Sequence, residues 1–128
     1  MTLKPPGAET DAPPAVSVCV MKTRADFLAA NRGLRQGMPA FLLQARNRND
    51  DDPRVRIGFT CSKKVGNAVA RNRAKRRLRE VARLALPDHA RPGWDYVLIG
   101  RAGQTATREF DELLSDLRAA LSKVHAKS

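Results

Sequence analysis

Between Lys63 and Arg83 the chain places nine of its 24 lysines and arginines against a single acid, Glu80. The core of this stretch reads Ser62-Lys63-Lys64-Val65-Gly66-Asn67-Ala68-Val69-Ala70-Arg71-Asn72-Arg73-Ala74-Lys75-Arg76-Arg77-Leu78-Arg79-Glu80. At about 100° per residue, Ala70, Ala74, Leu78, Val81 and Ala85 fall on one narrow apolar face. The pattern predicts a helix from about Asn67 to Leu86 that ends before Pro87. One stripe docks on protein, and its small residues let the start of the helix lie close to a sheet. The rest of the circumference, carrying Arg71, Arg73, Lys75, Arg76, Arg77, Arg79 and Arg83, is cationic. A solvated charged helix normally mixes signs through i,i+4 pairs, and only Glu80 can supply them here. Such a surface repels itself unless something strongly negative lies beside it, and a polyphosphate backbone fits that requirement.

The whole chain has 128 residues, a formal net charge of +11 and 42% hydrophobic residues. That is room for one domain and a tail, with enough apolar material for a packed core. High basicity points to nucleic acid first and to an anionic membrane surface second. No apolar run approaches the roughly 18 residues of a transmembrane helix. Met1-Thr2-Leu3-Lys4-Pro5-Pro6-Gly7 lacks the charged-then-apolar order of a signal peptide, so a cytoplasmic protein is expected. Cys19 and Cys61 form neither a CxxC nor a zinc spacing, and each sits in an alternating apolar stretch. Buried reduced thiols are expected of both.

Residues 1–14 contain Pro5, Pro6, Pro13 and Pro14, a composition that buries little and predicts a disordered leader. A single RNA-binding domain is expected over residues 15–124, with 125–128 as a tail. Val16–Val20 alternates like a short extended segment at a sheet edge. Thr23 reads as an N-cap, with Asp26 three residues on, for a helix through Ala25–Asn31 that stops at Gly33. Met38–Arg46 contains Phe41-Leu42-Leu43, a strand candidate, and Asn47–Pro53 reads as a polar hairpin loop. Arg54–Ser62 is the clearest strand, with Val55, Ile57, Phe59 and Cys61 on one face. Tyr96-Val97-Leu98-Ile99 reads as a short buried strand. Phe110, Leu113, Leu114, Leu117, Leu121 and Val124 repeat at helical spacing, with Glu109, Asp111 and Glu112 in the dipole-favoured first turn. Helices and strands interleave, so an α/β sandwich is expected.

The entry to the basic helix carries its own signal. Lys63-Lys64 leave a strand, Gly66 permits a tight turn, and Asn67 caps a helix whose first amides can receive an anion. Asn72, between two arginines, can donate and accept at once, which suits a ribose hydroxyl or a base edge. The Gly-Lys-Ser/Thr ending of a P-loop is absent.

These residues resemble a known family. Ser62 to Glu80, and above all Arg71-Asn72-Arg73, is similar to the signature of the bacterial ribonuclease P protein subunit. Arg24-Ala25-Asp26-Phe27 fits that family's first helix, and Arg56-Ile57-Gly58-Phe59-Thr60 the strand before the motif. Asp95-Tyr96-Val97-Leu98-Ile99 with Arg101 fits the strand after it, so the likeness spans roughly residues 22–122. The resemblance implies a two-layer α-β sandwich of order α-β-β-β-α-β-α with a left-handed βαβ crossover. It implies a protein partner of a catalytic RNA in a holoenzyme that removes the 5′ leader of precursor tRNA. The chemistry would be done by RNA-bound magnesium, with no catalytic residue and no metal on the protein.

Residue roles follow from the match. Lys63, Lys64, Asn67, Arg71, Asn72, Arg73, Lys75, Arg76 and Arg79 would meet the catalytic RNA or nearby phosphates. Phe27 would belong to the leader-binding cleft, where a ring can stack on an unpaired base, or else pack in the core. Where the family often has further aromatics, this chain holds Asn31 and Gln44, so leader contacts are expected to be more polar. Trp94 reads as a packing residue, His89 and His125 as surface positions, and Asp50-Asp51-Asp52 as a solvated loop triplet. Nothing in the sequence supplies the paired carboxylates of an independent two-metal nuclease. A membrane-surface helix would need larger apolar residues than Ala70 and Ala74. A general, ribosomal-type protein that binds structured RNA without assisting cleavage is separated from the family only by the signature.

Overall fold

The computed structural model describes residues 18–21 and 23–127; the expected leader, 1–14, lies outside the described residues. The elements are β1 (Val18–Val20), α1 (Arg24–Ala30), β2 (Leu34–Gly37), β3 (Phe41–Asn47) and β4 (Val55–Cys61). A 3-10 turn (Lys63–Val65) follows, then α2 (Ala68–His89), β5 (Trp94–Gly100), α3 (Gln104–Thr107) and α4 (Phe110–Ala126). The five strands form one sheet in the order β1-β4-β5-β3-β2. β1 and β5 run parallel to β4, while β3 is antiparallel to both β5 and β2.

β5 is apolar on both faces, and this composition requires a strand flanked on both edges and covered on both sides. It takes the centre of the sheet, with Tyr96 and Leu98 facing one layer and Val97 and Ile99 the other. α2 and α4 cover the first face, where Leu78, Val81 and Ala85 meet Leu113, Leu117 and Leu121 over Phe41, Leu43, Val55 and Ile57. α1 lies on the second face, with Phe27 and Ala30 against Met21, Val97 and Ile99.

Insertion of β5 between β3 and β4 corrects the expectation of a hairpin at Asn47–Pro53. The hairpin is instead β2–β3, closed by the Met38 amide donating to the Phe41 carbonyl at 2.8 Å. The β3–β4 loop is pinned from within by Arg48. Its guanidinium donates to the Asp52 and Arg54 carbonyls at 2.8 and 2.6 Å and to the Asp50 carboxylate at 2.9 Å. It also donates to Asp95, a carboxylate with no solvent exposure, at 2.7 Å. Arg56 completes the cluster with two bonds of 2.8 Å to Asp95 and a 3.2 Å contact to Asp26 at the head of α1. The acidic triplet is therefore not simply solvated. Asp50 pairs with Arg48, and hydrogen bonding from Arg54 holds the Asp52 carboxyl down at about 2.

Three further expectations are corrected. α2 continues through Pro87 to His89, because the bond that proline deletes would have run to Arg83 on the exposed side. Beyond it the Ala90 amide still donates to the Leu86 carbonyl at 2.9 Å. α4 continues through Ala126, into residues expected as a tail. His125 is buried there, edge-on to Trp94 and 2.7 Å from the Tyr96 hydroxyl. His89 is half-buried, 3.2 Å from the Ala85 carbonyl. Helical periodicity places His125 one residue after Val124 on the core-facing stripe, which a count of charged or polar types does not reveal. Cys19 and Cys61 are free thiols, each half-buried. Among the described residues no helix is long and apolar enough to cross a membrane.

Candidate nucleic-acid interface

The basic surface is built at the exit of β4. Ser62 Oγ accepts from the Lys64 amide at 3.2 Å, holding the single 3-10 turn. Gly66 then takes φ +131°, a conformation that a side chain disfavours, and redirects the chain. Asn67 caps α2, its Oδ1 accepting from the Ala70 amide at 3.0 Å. Thus Asn67, expected as an RNA contact, has a structural duty as well.

Along α2 the buried stripe is Ala74, Leu78, Val81, Ala82, Ala85 and Leu86. The helix is thereby oriented so that Asn72, Arg73, Arg76 and Arg79 are exposed and Arg71 and Lys75 half-exposed. Lys64 and Asn67 are exposed at the helix entrance, and Lys63 lies in the turn beside them. Seven of the nine expected contacts, from Lys64 to Arg76, thus lie exposed or half-exposed at the helix entrance and along its first turns, ahead of Arg79. Among the described residues, Lys64, Arg71, Arg73, Lys75 and Arg76 take part in no ion pair. Cations left without acidic neighbours on a rigid helix are available to a polyanion without first breaking protein contacts.

Not every arginine of the helix is available in this way. Arg77 turns back onto the protein and donates to the Thr105 and Arg108 carbonyls at 2.8 and 2.6 Å, tying α3 to α2. Arg83 pairs with Glu80. Arg79 lies over the Phe59 ring, 5.6 Å from its centroid. Spacing alone does not separate these roles, because all three stand on the polar part of the helical wheel. The structure adds Arg101, which with Lys64, Ser62 and Leu42 lines a depression of about 350 Å³ beside the entrance to α2.

A second groove, about 460 Å³, opens on the α1 face of the sheet. Arg24, Phe27, Leu28 and Asn31 line one side, and Gln44, Phe59, Thr60, Val97 and Ile99 the floor and other side. Phe27 sits over Gly58, where a Cβ would stand 2.6 Å from the ring. Glycine in the middle of this strand is thus what admits the aromatic ring. Phe27 belongs to both readings made of it: it packs on Met21, Ala30 and Val97 yet remains half-exposed in the groove. Asn31 and Gln44 are brought together, Gln44 Nε2 donating to Asn31 Oδ1 at 2.8 Å. Thr23 caps α1 and Asp26 bridges to Arg56, so the groove wall is fixed to the sheet.

Comparison with known proteins agrees with these features. The family model described as Ribonuclease P matches residues 18–125. The ribonuclease P protein component of Ruegeria pomeroyi is 64% identical over 121 residues, covering 89% of this chain and 97% of that protein. That of Caulobacter vibrioides is 52% identical over 116 residues, covering 91% and 77%. Among solved structures, the Staphylococcus aureus RNase P protein aligns with a TM-score of 0.66 at 29% identity, covering 82% of this chain and 95% of that one. The Thermotoga maritima RNase P protein aligns at 0.65 with 25% identity, covering 79% and 92%. A match that spans sheet, basic helix and C-terminal helix together sets aside a general structured-RNA-binding protein. From its signature helix to its sheet, the chain belongs to the ribonuclease P protein family.

Proposed function

We propose that this chain is the protein subunit of a cytoplasmic ribonuclease P, in which α2 and its entrance dock on the catalytic RNA and the α1 groove holds the 5′ leader of precursor tRNA. The observation that carries the reading is the exposed, acid-free cationic run from Lys64 to Arg76 on a helix whose sequence is the family's signature. Lys63, Lys64, Arg71, Arg73, Lys75 and Arg76 offer charge to phosphates, arginine's planar fork giving two parallel bonds where geometry allows. Asn67 and Asn72 supply neutral donors and acceptors for ribose or base edges. Arg79 holds the margin between the basic surface and Phe59. In the groove, Phe27 offers a ring face to an unpaired leader base.

Cleavage of the phosphodiester is assigned to the RNA subunit and the magnesium it binds. Among the described residues no three carboxylate, imidazole or thiol side chains converge as metal ligands. The buried Asp95 carboxylate is enclosed by the guanidinium groups of Arg46, Arg48 and Arg56. The protein's own work is therefore to neutralise phosphate repulsion and to position the leader. The test is precursor-tRNA cleavage by a bacterial ribonuclease P RNA at low magnesium, with and without this protein. Cleavage requiring both is the expected result. Cleavage by the protein alone, or tight binding with no stimulation, would overturn the reading.

A further inference from the structure

On the face of the sheet opposite the α1 groove, the outermost strand leaves an apolar slot open. β1 stands at the sheet edge and pairs in parallel with β4, Val18 opposite Val55 and Val20 opposite Ile57. Paired residues share a face of the sheet, and Val55 and Ile57 are buried in the layer covered by α2. Val18 and Val20 therefore face that layer too, yet they are 41% and 59% exposed, since among the described residues nothing closes over them. Between β1 and α2 lies a cavity of about 310 Å³, with Val18, Val20 and Phe59 on the strand side and Ala82 and Leu86 on the helix side. One exposed valine on a surface is ordinary. Two on one strand, lining a common apolar cavity, mark a place where an occupant recovers the cost of leaving them in water.

The chemistry of that occupant is set by the charges beside the slot. Arg79 and Arg83 line it as well. Together with Lys75 they follow one another at four-residue intervals, which stacks them along one flank of α2. The slot thus lies alongside a continuation of the basic surface that begins at the helix entrance. Arg83 pairs with Glu80, but this is an exposed i,i+3 pair that a phosphate can displace at little cost. Arg79 lies over the Phe59 ring, 5.6 Å from its centroid, and a guanidinium stacks readily on flat π surfaces. An apolar recess flanked by cations fits a nucleotide, which joins a flat base to a phosphate. An apolar peptide would gain nothing from the two arginines. A second copy of this chain would bring another formal charge of +11 against them.

We propose that the slot between β1 and α2 receives one unpaired base of the catalytic RNA, its face against Val18, Val20 and Phe59 and its flanking phosphates on Arg79 and Arg83. This rests on the docking of α2 on that RNA proposed above. The slot gives the interface an apolar anchor that salt does not screen, beside cations that salt does screen. A base held there fixes the register of the RNA along the helix, which phosphate contacts alone leave free to slide.

The experiment uses the full chain and a bacterial ribonuclease P RNA. Val18→Thr with Val20→Thr keeps the shape and strand preference of both residues, and both are exposed, so the thermal midpoint should hold. Affinity for the RNA should fall by about 3- to 10-fold, the range expected for apolar area no longer well covered. The slope of log K against log salt should stay as it was, because no charge is removed. A photo-crosslinking side chain, p-benzoylphenylalanine, placed at Val20 should attach to one unpaired stretch of the catalytic RNA in the reconstituted holoenzyme. Unchanged affinity in the double variant would overturn the proposal. So would crosslinks only to precursor tRNA, to this chain's own N-terminal residues or to a second copy of the protein. Arg71→Ala with Arg73→Ala tests the parent reading separately. If that variant binds the RNA as well as the natural protein, α2 is not the docking helix. If it binds more weakly while the valine variant does not, only the slot fails.

Discussion

Single side chains of one type divide into three uses in this molecule, and the division is set by what each one meets. Among the described residues Arg71 and Arg73 pair with no acid, so replacing both with Ala removes charge without breaking an ion pair. The double variant should keep its thermal midpoint and lose RNA affinity, with a salt slope shallower by about 1.5. An equal loss of stability would show that these arginines hold the fold instead. Arg48 and Arg56 are the opposite case. They neutralise Asp95 inside the sheet, where an uncompensated charge is costly. Asp95→Asn should destabilise the protein by about 3–5 kcal/mol in urea unfolding, since it leaves the buried Arg48 guanidinium facing a neutral amide. A change under about 1 kcal/mol would mean that water or backbone carbonyls already satisfy them. Arg77 is the third case, spent on the carbonyls at the end of α3.

At the scale of elements, the start of α2 serves two purposes at once. Gly66 turns the chain, Asn67 closes the first turn, and the same few residues carry Lys64 to the basic surface. The two duties of Asn67 can be separated. Asn67→Ala loses the cap and should cost about 1 kcal/mol of stability. Asn67→Asp caps as well as asparagine does, and the helix dipole favours it. It nevertheless sets a carboxylate among phosphate-binding cations, so it should retain stability while weakening RNA affinity. Retention of both properties in Asn67→Asp, measured by denaturation and by RNA binding, would exclude position 67 from the interface. Most elements were legible in the sequence because their apolar spacing is regular, as in α4 and β4. β2 was not: Leu34-Arg35-Gln36-Gly37 has no apolar alternation, and it is a strand only because β3 offers it an edge. The extension of α2 past Pro87 was hidden for a similar reason, since a missing hydrogen bond on the exposed side is tolerated once the other face is buried.

For the molecule as a whole, charge and burial give two dependences on solution conditions. With about six phosphate contacts, log K for the RNA should fall against log salt with a slope of about −4 to −5, and a salt-independent affinity would sink the phosphate-contact reading. Burial, aided by the nearby Arg91 charge, pushes His125 down to about 4 from 6.5. The unfolded chain therefore binds this proton more readily than the folded one. The stability that His125 contributes is complete above about 6.5 and is lost as pH falls toward 4. Thermal midpoints should drop through that window, and His125→Gln should flatten the drop; an unaltered profile would place the titrating group elsewhere. The sequence by itself determined the basic helix and its docking stripe, the α/β class, and the motif that marks the family, because these depend on residue type at fixed local spacing. Tertiary structure alone decided that β5 separates β3 from β4, that Asp95 gathers arginines from two strands, and that Arg77 faces inward. It alone set Gln44 beside Asn31 in the wall of the groove. Those facts depend on which distant segments meet, and burial turns such meetings into specific partners by making an unpaired polar group too costly to leave.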